Sequence, residues 1–310
     1  MPSLKRGIKY LFTNRAQFID SIVKNYFGFL PDKIYLSLRY RCQMGRWINW
    51  KNPQTFTEKL QWLKVYNHRL EYTTMVDKVA VKKYVADLIG EEYIIPTLGV
   101  WDNPEDIDWD TLPNQFVLKT THSGGSNGVI ICRDKRTFDT GEAVSKLNES
   151  LKSDIYSTFR EWPYKDVPRR VIAEQLICEQ HNQGQQDLTD YKFFCFNGEP
   201  EYCQVIRNRS QTMTIDFYDM EWKHQEFIGL HPVMTNGLHP VTCPIHINDL
   251  RTICMKLAKD IPFVRIDFYV LDNREYFGEL TFYPASGFGV FTPYDWDIKL
   301  GELLLLGNKK

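Results

Sequence analysis

Nothing in this 310-residue chain approaches the uninterrupted apolar run of about 18 residues that a membrane-crossing helix requires. Charge of one sign is missing as well. With 38 Lys and Arg against 39 Asp and Glu the formal net charge is −1, so the whole molecule lacks the positive field of a nucleic-acid binder and no nucleic-acid partner is expected. Cysteine is sparse and has no ligand spacing. Its seven copies (Cys42, Cys132, Cys178, Cys195, Cys203, Cys243, Cys254) are odd in number, contain no C-x-x-C pair and have mostly apolar neighbours. This argues against a disulfide frame or a zinc site and for reduced, packed thiols of a cytoplasmic protein. Internal repeats and low-complexity segments are absent. In the first twenty residues Lys5, Arg6, Lys9 and Arg15 interrupt the apolar residues before a signal-peptide core can form, so no export is expected.

What is present describes a soluble globular protein: 43% hydrophobic, 14% aromatic and 25% charged residues, in a chain long enough for two or three subdomains with a sizeable core. Residues 3 to 29 alternate basic and apolar groups at helical spacing, a pattern open to two readings: a helix packed on its own domain, or one resting at the inner face of an anionic membrane. A second helix is expected from Asp32. The basic-aromatic patch Arg46 to Lys51 then leads to Thr55, an N-cap with Glu58 three residues on, the capping-box spacing. Further helices are expected over 77–89, 137–152 and 247–259. Strands are expected over 94–101, 115–120, 129–132 and 171–177, followed by an antiparallel meander of 191–196, 201–206, 214–218 and 221–222 with Asn197-Gly198 at one turn.

Two stretches carry chemistry. The strand Phe116 to Thr121 ends in Lys119 and runs into His122-Ser123-Gly124-Gly125-Ser126-Asn127-Gly128, whose glycines and small hydroxyl residues leave backbone N–H groups bare, as a cover over polyphosphate needs. It is not a Walker loop, because the lysine precedes the glycines and a strand follows them. The second stretch, 264 to 282, reads as a hairpin turning at Asp272-Asn273-Arg274. Alternation places Arg265, Asp267 and Tyr269 on one face, and Glu275, Phe277, Glu279 and Thr281 on one face of the partner strand. Two acids converging there are a solvated face or, buried among aromatics, a cation site.

The order of these features, with N-P-Q-T-F-T-E-K-L-Q-W-L-K, V-D-K-V-A-V-K-K-Y-V, F-V-L-K-T-T-H-S-G-G-S, Y-K-F-F-C-F-N-G-E-P and G-E-L-T-F-Y-P-A-S-G, resembles the TupA-like family of the ATP-grasp superfamily, encoded in bacterial surface-polysaccharide loci, over about residues 30 to 305. The resemblance implies an α+β, ATP-grasp fold: an N-terminal helical region (1–70), then two α+β subdomains (71–180 and 181–310) clasping ATP. It implies that Lys78 and Lys119 contact the phosphates under the loop of His122, Ser123, Gly124 and Gly125. Glu174 and the backbone from Gln175 to Ile177 would hold the adenine, with Glu179 near the ribose. Asp267 and Glu279 would ligate magnesium, Thr281 standing where the superfamily commonly has Asn. Arg265, Lys192 and Arg207 would stabilise the anionic intermediate, and 284–287 would line the acceptor side. The implied reaction joins a carboxylate substrate, a uronic acid or amino acid, to an amine through an acyl phosphate, with ATP and Mg2+ as cofactors.

Two rival readings come from the same residues. The D-x-D triplets Asp108-Trp109-Asp110 and Asp295-Trp296-Asp297 suit a glycosyltransferase holding a metal-bound nucleotide-sugar, and Thr281 suits an ATP-binding protein without turnover.

Overall fold

The structure is a computed structural model that describes residues 15–125, 128–177, 188–209, 212–230, 235–271 and 274–307. Helices α1 (Arg15–Tyr26), α2 (Asp32–Met44), α3 (Phe56–Tyr66), α4 (Glu71–Val76) and α5 (Ala80–Ile89) come first. A four-stranded antiparallel sheet follows, with β1 (Thr97–Trp101), β2 (Phe116–Thr120), β3 (Val129–Cys132) and β4 (Val171–Gln175) in the spatial order β1-β4-β2-β3. Helices α6 (Thr140–Leu151) and α7 (Ile155–Phe159) lie between β3 and β4 in sequence.

The second sheet is larger and also antiparallel. It contains β5 (Asp190–Phe196), β6 (Glu199–Arg207), β7 (Thr214–Asp219), β8 (His224–Gln225), β10 (Phe263–Leu271) and β11 (Arg274–Thr281), ordered β11-β10-β5-β6-β7-β8. Strands β9 (Ile228–Leu230) and β12 (Val290–Thr292) form a small ribbon, and α8 (Ile247–Leu257) and α9 (Asp295–Leu303) complete the chain. Helices and two antiparallel sheets thus give the α+β content expected.

Local chemistry explains the boundaries. Thr55 accepts from the Glu58 N–H while Glu58 accepts from the Thr55 N–H, so the expected capping box opens α3. Helix α5 begins at Ala80 rather than Asp77, because Asp77 accepts from the Val79 N–H at 2.9 Å and turns the chain first. The short helix α4 had no counterpart among the sequence expectations. Glu221-Trp222, expected as a strand, is the turn before β8, with Trp222 at φ 61°.

The main core is aromatic. Phe56 of α3 is fully buried against Phe194, Phe196, Phe263 and Phe291. Core residues of α3, α4 and α5 thus belong with the large sheet. The small sheet has a separate cluster around Phe116, Leu118 and Leu147, and α1–α2 a third around Tyr35, Leu36 and Tyr40.

Candidate active site

Strands β10 and β11 pair Arg265 with Thr281 and Asp267 with Glu279, but Phe268 with Phe277. Gly278 is therefore a bulge, one residue of β11 without a partner. A Cβ at this position would lie 3.1 Å from the Asp267 carbonyl oxygen, a tight contact that glycine avoids. The bulge corrects the face expected from simple alternation: Phe277 packs with Phe268 on one side of the sheet, while Glu279 and Thr281 join Asp267 and Arg265 on the other.

On that second side the groups converge on one atom. Arg265 Nη2 lies 2.7 Å from Asp267 Oδ2, 3.0 Å from Glu279 Oε1 and 3.1 Å from Thr281 Oγ1, while Arg265 Nε reaches Asp267 Oδ1 at 2.7 Å. Lys192 of β5, opposite Asp267, donates to Asp267 Oδ2 and lies 3.2 Å from Asp190, which Arg209 also holds. Burial alone would raise the Asp267 pKa, but Arg265 and Lys192 hold it below the ordinary value, so the carboxylate stays ionised. Two carboxylates and a hydroxyl that already meet at a common cationic atom are hard oxygen donors, the kind magnesium takes. They fit that ion as far as the donor set goes. Among the described residues no group of three or more His, Cys, Asp or Glu is placed to hold a metal.

A second cluster forms at the small sheet. Glu174 of β4 lies 2.5 Å from both Lys119 of β2 and Lys82 of α5. Burial opposes ionisation of this carboxyl, yet the two lysines bring it down to about 2 from an ordinary 4.5. Its stabilising contribution is thus complete above about pH 5 and is lost as the pH falls towards 2. Glu174→Gln, which cannot ionise, is expected to lose thermal stability less steeply across that window than the parent protein; equal slopes by calorimetry would remove Glu174 from the acid response.

Lys78 connects the two clusters. It donates to the Ser123 carbonyl, and burial pushes its ammonium pKa down, opposed most by Glu279 and then by Glu174, while neighbouring Lys119 adds to the depression. Asp77 beside it pairs with Arg170 at 2.9 Å. His122 and Ser123 are buried: His122 Nε2 lies 3.2 Å from the Ser153 carbonyl oxygen, burial lowers its pKa, and the Ser123 hydroxyl donates to Thr120. Gly124 and Gly125 are exposed, Gly125 at φ 63°. Ser126 and Asn127 lie outside the described residues.

The remaining expected residues divide. Gln175 has its backbone N–H committed to the Pro96 carbonyl at 3.0 Å, and Ile177 lies beyond the end of β4. Glu179 is outside the described residues. Arg207 is not brought to the site. Register puts Gln204 opposite Lys192, so Arg207, an odd number of residues on, faces the other side of the sheet, where Asp216 (3.1 Å) and the His239 carbonyl (2.8 Å) hold it.

Sequence reasoning missed several contributors. Lys82 gave no signal beyond its place in V-D-K-V-A-V-K-K. Tyr164, in the 3₁₀ turn Trp162–Tyr164, has its phenol pKa driven well above the usual value by burial and then by Glu161 and Glu279. The turn at 284–287 adopts left-handed geometry at Ala285 (φ 47°) and Ser286 (φ 52°), each costing on the order of 1–2 kcal/mol for a non-glycine residue. Buried donors of α3 hold it: Gln61 Nε2 to the Ser286 and Gly287 carbonyls (3.1 and 2.8 Å), and Lys64 Nζ to the Ser286 carbonyl (2.7 Å). Burial brings the Lys64 pKa down to about 7 and raises that of its partner Glu161.

Neither D-x-D triplet presents paired ligands. Asp297 is buried and spent on the Thr57 N–H (2.9 Å), the Thr57 hydroxyl (2.7 Å) and Arg46 (2.7 Å), while Asp108 accepts from the Asp110 N–H in a local turn.

No curated protein matches the sequence. Among solved structures, the D-alanine–D-alanine ligase of Bacillus anthracis is similar at 17% identity, with 74% of this chain and 67% of that one covered and a TM-score of 0.43. The Helicobacter pylori D-alanine–D-alanine ligase has 17% identity, 76% and 60% coverage and a TM-score of 0.42. The ATP-grasp ligase PsnB, in complex with its minimal precursor, Mg and ADP, has 11% identity, 86% and 66% coverage and a TM-score of 0.37. The chain spans about two thirds or less of the length of each. The sequence signature described as TupA-like ATP-grasp matches residues 58–305, from within α3 to beyond the end of α9, and the chain therefore belongs to the TupA-like ATP-grasp family.

Proposed function

We propose that this protein is an ATP- and magnesium-dependent carboxylate–amine ligase acting on a bacterial surface-glycan precursor. The observation that carries the reading is the pair of charged clusters on the two sheets: Glu174 held by Lys119 and Lys82, with Lys78 donating to the Ser123 carbonyl of the glycine-rich loop, and Arg265 shared by Asp267 and Glu279, whose charge also opposes the effect of burial on Lys78. Cations suited to phosphate and hard oxygens suited to a metal are thus both present, which suits a nucleoside triphosphate lying between the sheets.

The chemistry assigned follows from this placement. A substrate carboxylate oxygen attacks the γ-phosphorus, the bond to the β-phosphate oxygen breaks, and ADP leaves; an amine then attacks the acyl carbon, inorganic phosphate departs, and the amine gives up a proton. Magnesium, when held by Asp267, Glu279 and Thr281, supplies charge neutralisation on the phosphates. Arg265, whose charge Asp267 and Glu279 sustain against burial, and Lys192 stand where anionic charge develops. Lys119 keeps N–H donors beyond the one directed to Glu174 and, with Lys78, faces the phosphates. The turn at 284–287, which begins three residues past Thr281, borders the acceptor. The glycan assignment rests on family membership.

The test has two arms. Thermal stabilisation is expected with ATP and magnesium and not with UDP- or GDP-sugars, and ADP release is expected to depend on a uronic or amino acid together with an amine. Stabilisation by a nucleotide-sugar alone would replace the ligase with a transferase. ATP binding without ADP formation across a broad acid and amine panel would reduce the protein to a nucleotide binder.

A further inference from the structure

The turn joining α1 to α2 exposes an aromatic cluster that no other described element covers. Tyr26 is 74% exposed, Phe29 79%, Phe27 37% and Ile34 50%, with the Phe27 and Phe29 rings 5.9 Å apart. Of α1, Val23 is the buried residue, packing in the α1–α2 cluster, so most of that helix faces outward. Scattered exposed apolar residues need no explanation, but four within nine positions at one turn do.

The charge around the turn identifies what suits it. Residues 15 to 51 contain seven Arg or Lys and two Asp, in a chain whose net charge is −1. Both acids are engaged by arginines with buried side chains: Asp20 by Arg39 at 2.8 Å and Asp32 by Arg160 at 3.0 Å. Arg15, Lys24, Lys33, Arg41 and Lys51 are exposed. The surface presented is therefore aromatic at the turn, with Lys24 and Lys33 beside it and Arg15, Arg41 and Lys51 farther along the chain, and with its own anions neutralised. A second copy would bring like charge against like charge. An anionic lipid surface complements both parts, since aromatic side chains settle at the headgroup level and each Lys or Arg near the surface adds attraction.

We infer that the α1–α2 turn docks the protein peripherally on anionic membranes, with Tyr26 and Phe29 entering the headgroup layer and Lys24 and Lys33 beside them. Among the described residues no helix is long and apolar enough to cross a membrane, so the contact is one of surface. The inference is independent of the ligase reading.

Co-sedimentation of the full chain with phosphatidylcholine vesicles, with and without phosphatidylglycerol, tests it. Binding is expected only with phosphatidylglycerol and is expected to weaken as salt is raised. The double variant Tyr26→Ser/Phe29→Ser is expected to lower the partition coefficient about tenfold or more, the effect of removing apolar burial of roughly 1.4 kcal/mol. Lys24→Glu/Lys33→Glu is expected to lose the preference for phosphatidylglycerol. All these side chains are exposed, so melting temperatures should not move. Undiminished binding by the aromatic variant would overturn the proposal by placing the contact elsewhere, residues 1–14 included. So would equal binding to both vesicle types, or a change from dimer to monomer in the aromatic variant, which would make the turn a contact between copies.

Discussion

Exchanging Glu279 for glutamine is expected to lower ATP turnover by about 10²–10³-fold, the range for losing one directed electrostatic contact in an active site, and to shrink the ATP–magnesium-induced rise in melting temperature. Asp267→Asn should do the same to turnover but behave differently towards stability. Asp267 is buried and takes charge from both Arg265 and Lys192, so its neutralisation leaves two cations facing each other in the sheet, a loss on the order of 3–5 kcal/mol. The Glu279 side chain is 33% exposed and, among the described residues, bonds Arg265 and Thr281, so the uncomplexed Glu279→Gln protein should lose less stability than Asp267→Asn. The pair of variants thereby separates chemistry from folding. Calorimetry with and without ATP and magnesium, beside an ADP-release assay, reads both. A Glu279→Gln protein with unchanged nucleotide response would remove this residue from the site.

Phe56→Ala is expected to cost about 3–5 kcal/mol of unfolding free energy, the range for a large aromatic deleted from a core that cannot collapse around it. The Phe263 ring is 4.8 Å from that of Phe56, centroid to centroid, and Phe194, Phe196 and Phe291 close the other sides. The consequence reaches the site. Helix α3, which Phe56 begins, carries Gln61 and Lys64 beneath the left-handed turn at 284–287, so loosening the helix removes what holds Ala285 and Ser286 in a conformation they do not adopt alone. Urea unfolding followed by far-ultraviolet circular dichroism and by tryptophan fluorescence should show one coincident transition at lower urea. A shift below about 1 kcal/mol, ordinary for a surface substitution, would mean that α3 is not part of the main core.

What the sequence discloses is what neighbours in the chain decide. The capping box at Thr55 and Glu58 is legible because both partners lie within one helical turn. Asp267 and Glu279 are legible as acids on the two strands of one hairpin, although the turn register alone would set Gly278 opposite Asp267 and it is the bulge that brings Glu279 there. The same rule misplaces Phe277, since it counts residues and has no means of seeing that Gly278 goes unpaired. Lys82, Lys64 and Glu161 are illegible for another reason: each meets its partner across elements far apart in the chain, and a lysine on an amphipathic helix reads as a solvated one. Arg207 illustrates the reverse error. A basic residue near a motif looks like a site residue until the register of β5 and β6 turns it to the far side.

The unpaired glycine of β11 has a consequence for how this hairpin tolerates change. A β-strand assigns its residues to two sides by odd and even count, and Gly278 is where that parity is reset. A regular, bulge-free pairing through Gly278 would leave every ligand in the sequence yet send Glu279 and Thr281 to the side that Phe268 occupies. The oxygens that meet at Arg265 are therefore specified by a count as much as by their chemistry, and pairing Gly278 into the ladder is equivalent to losing both at once.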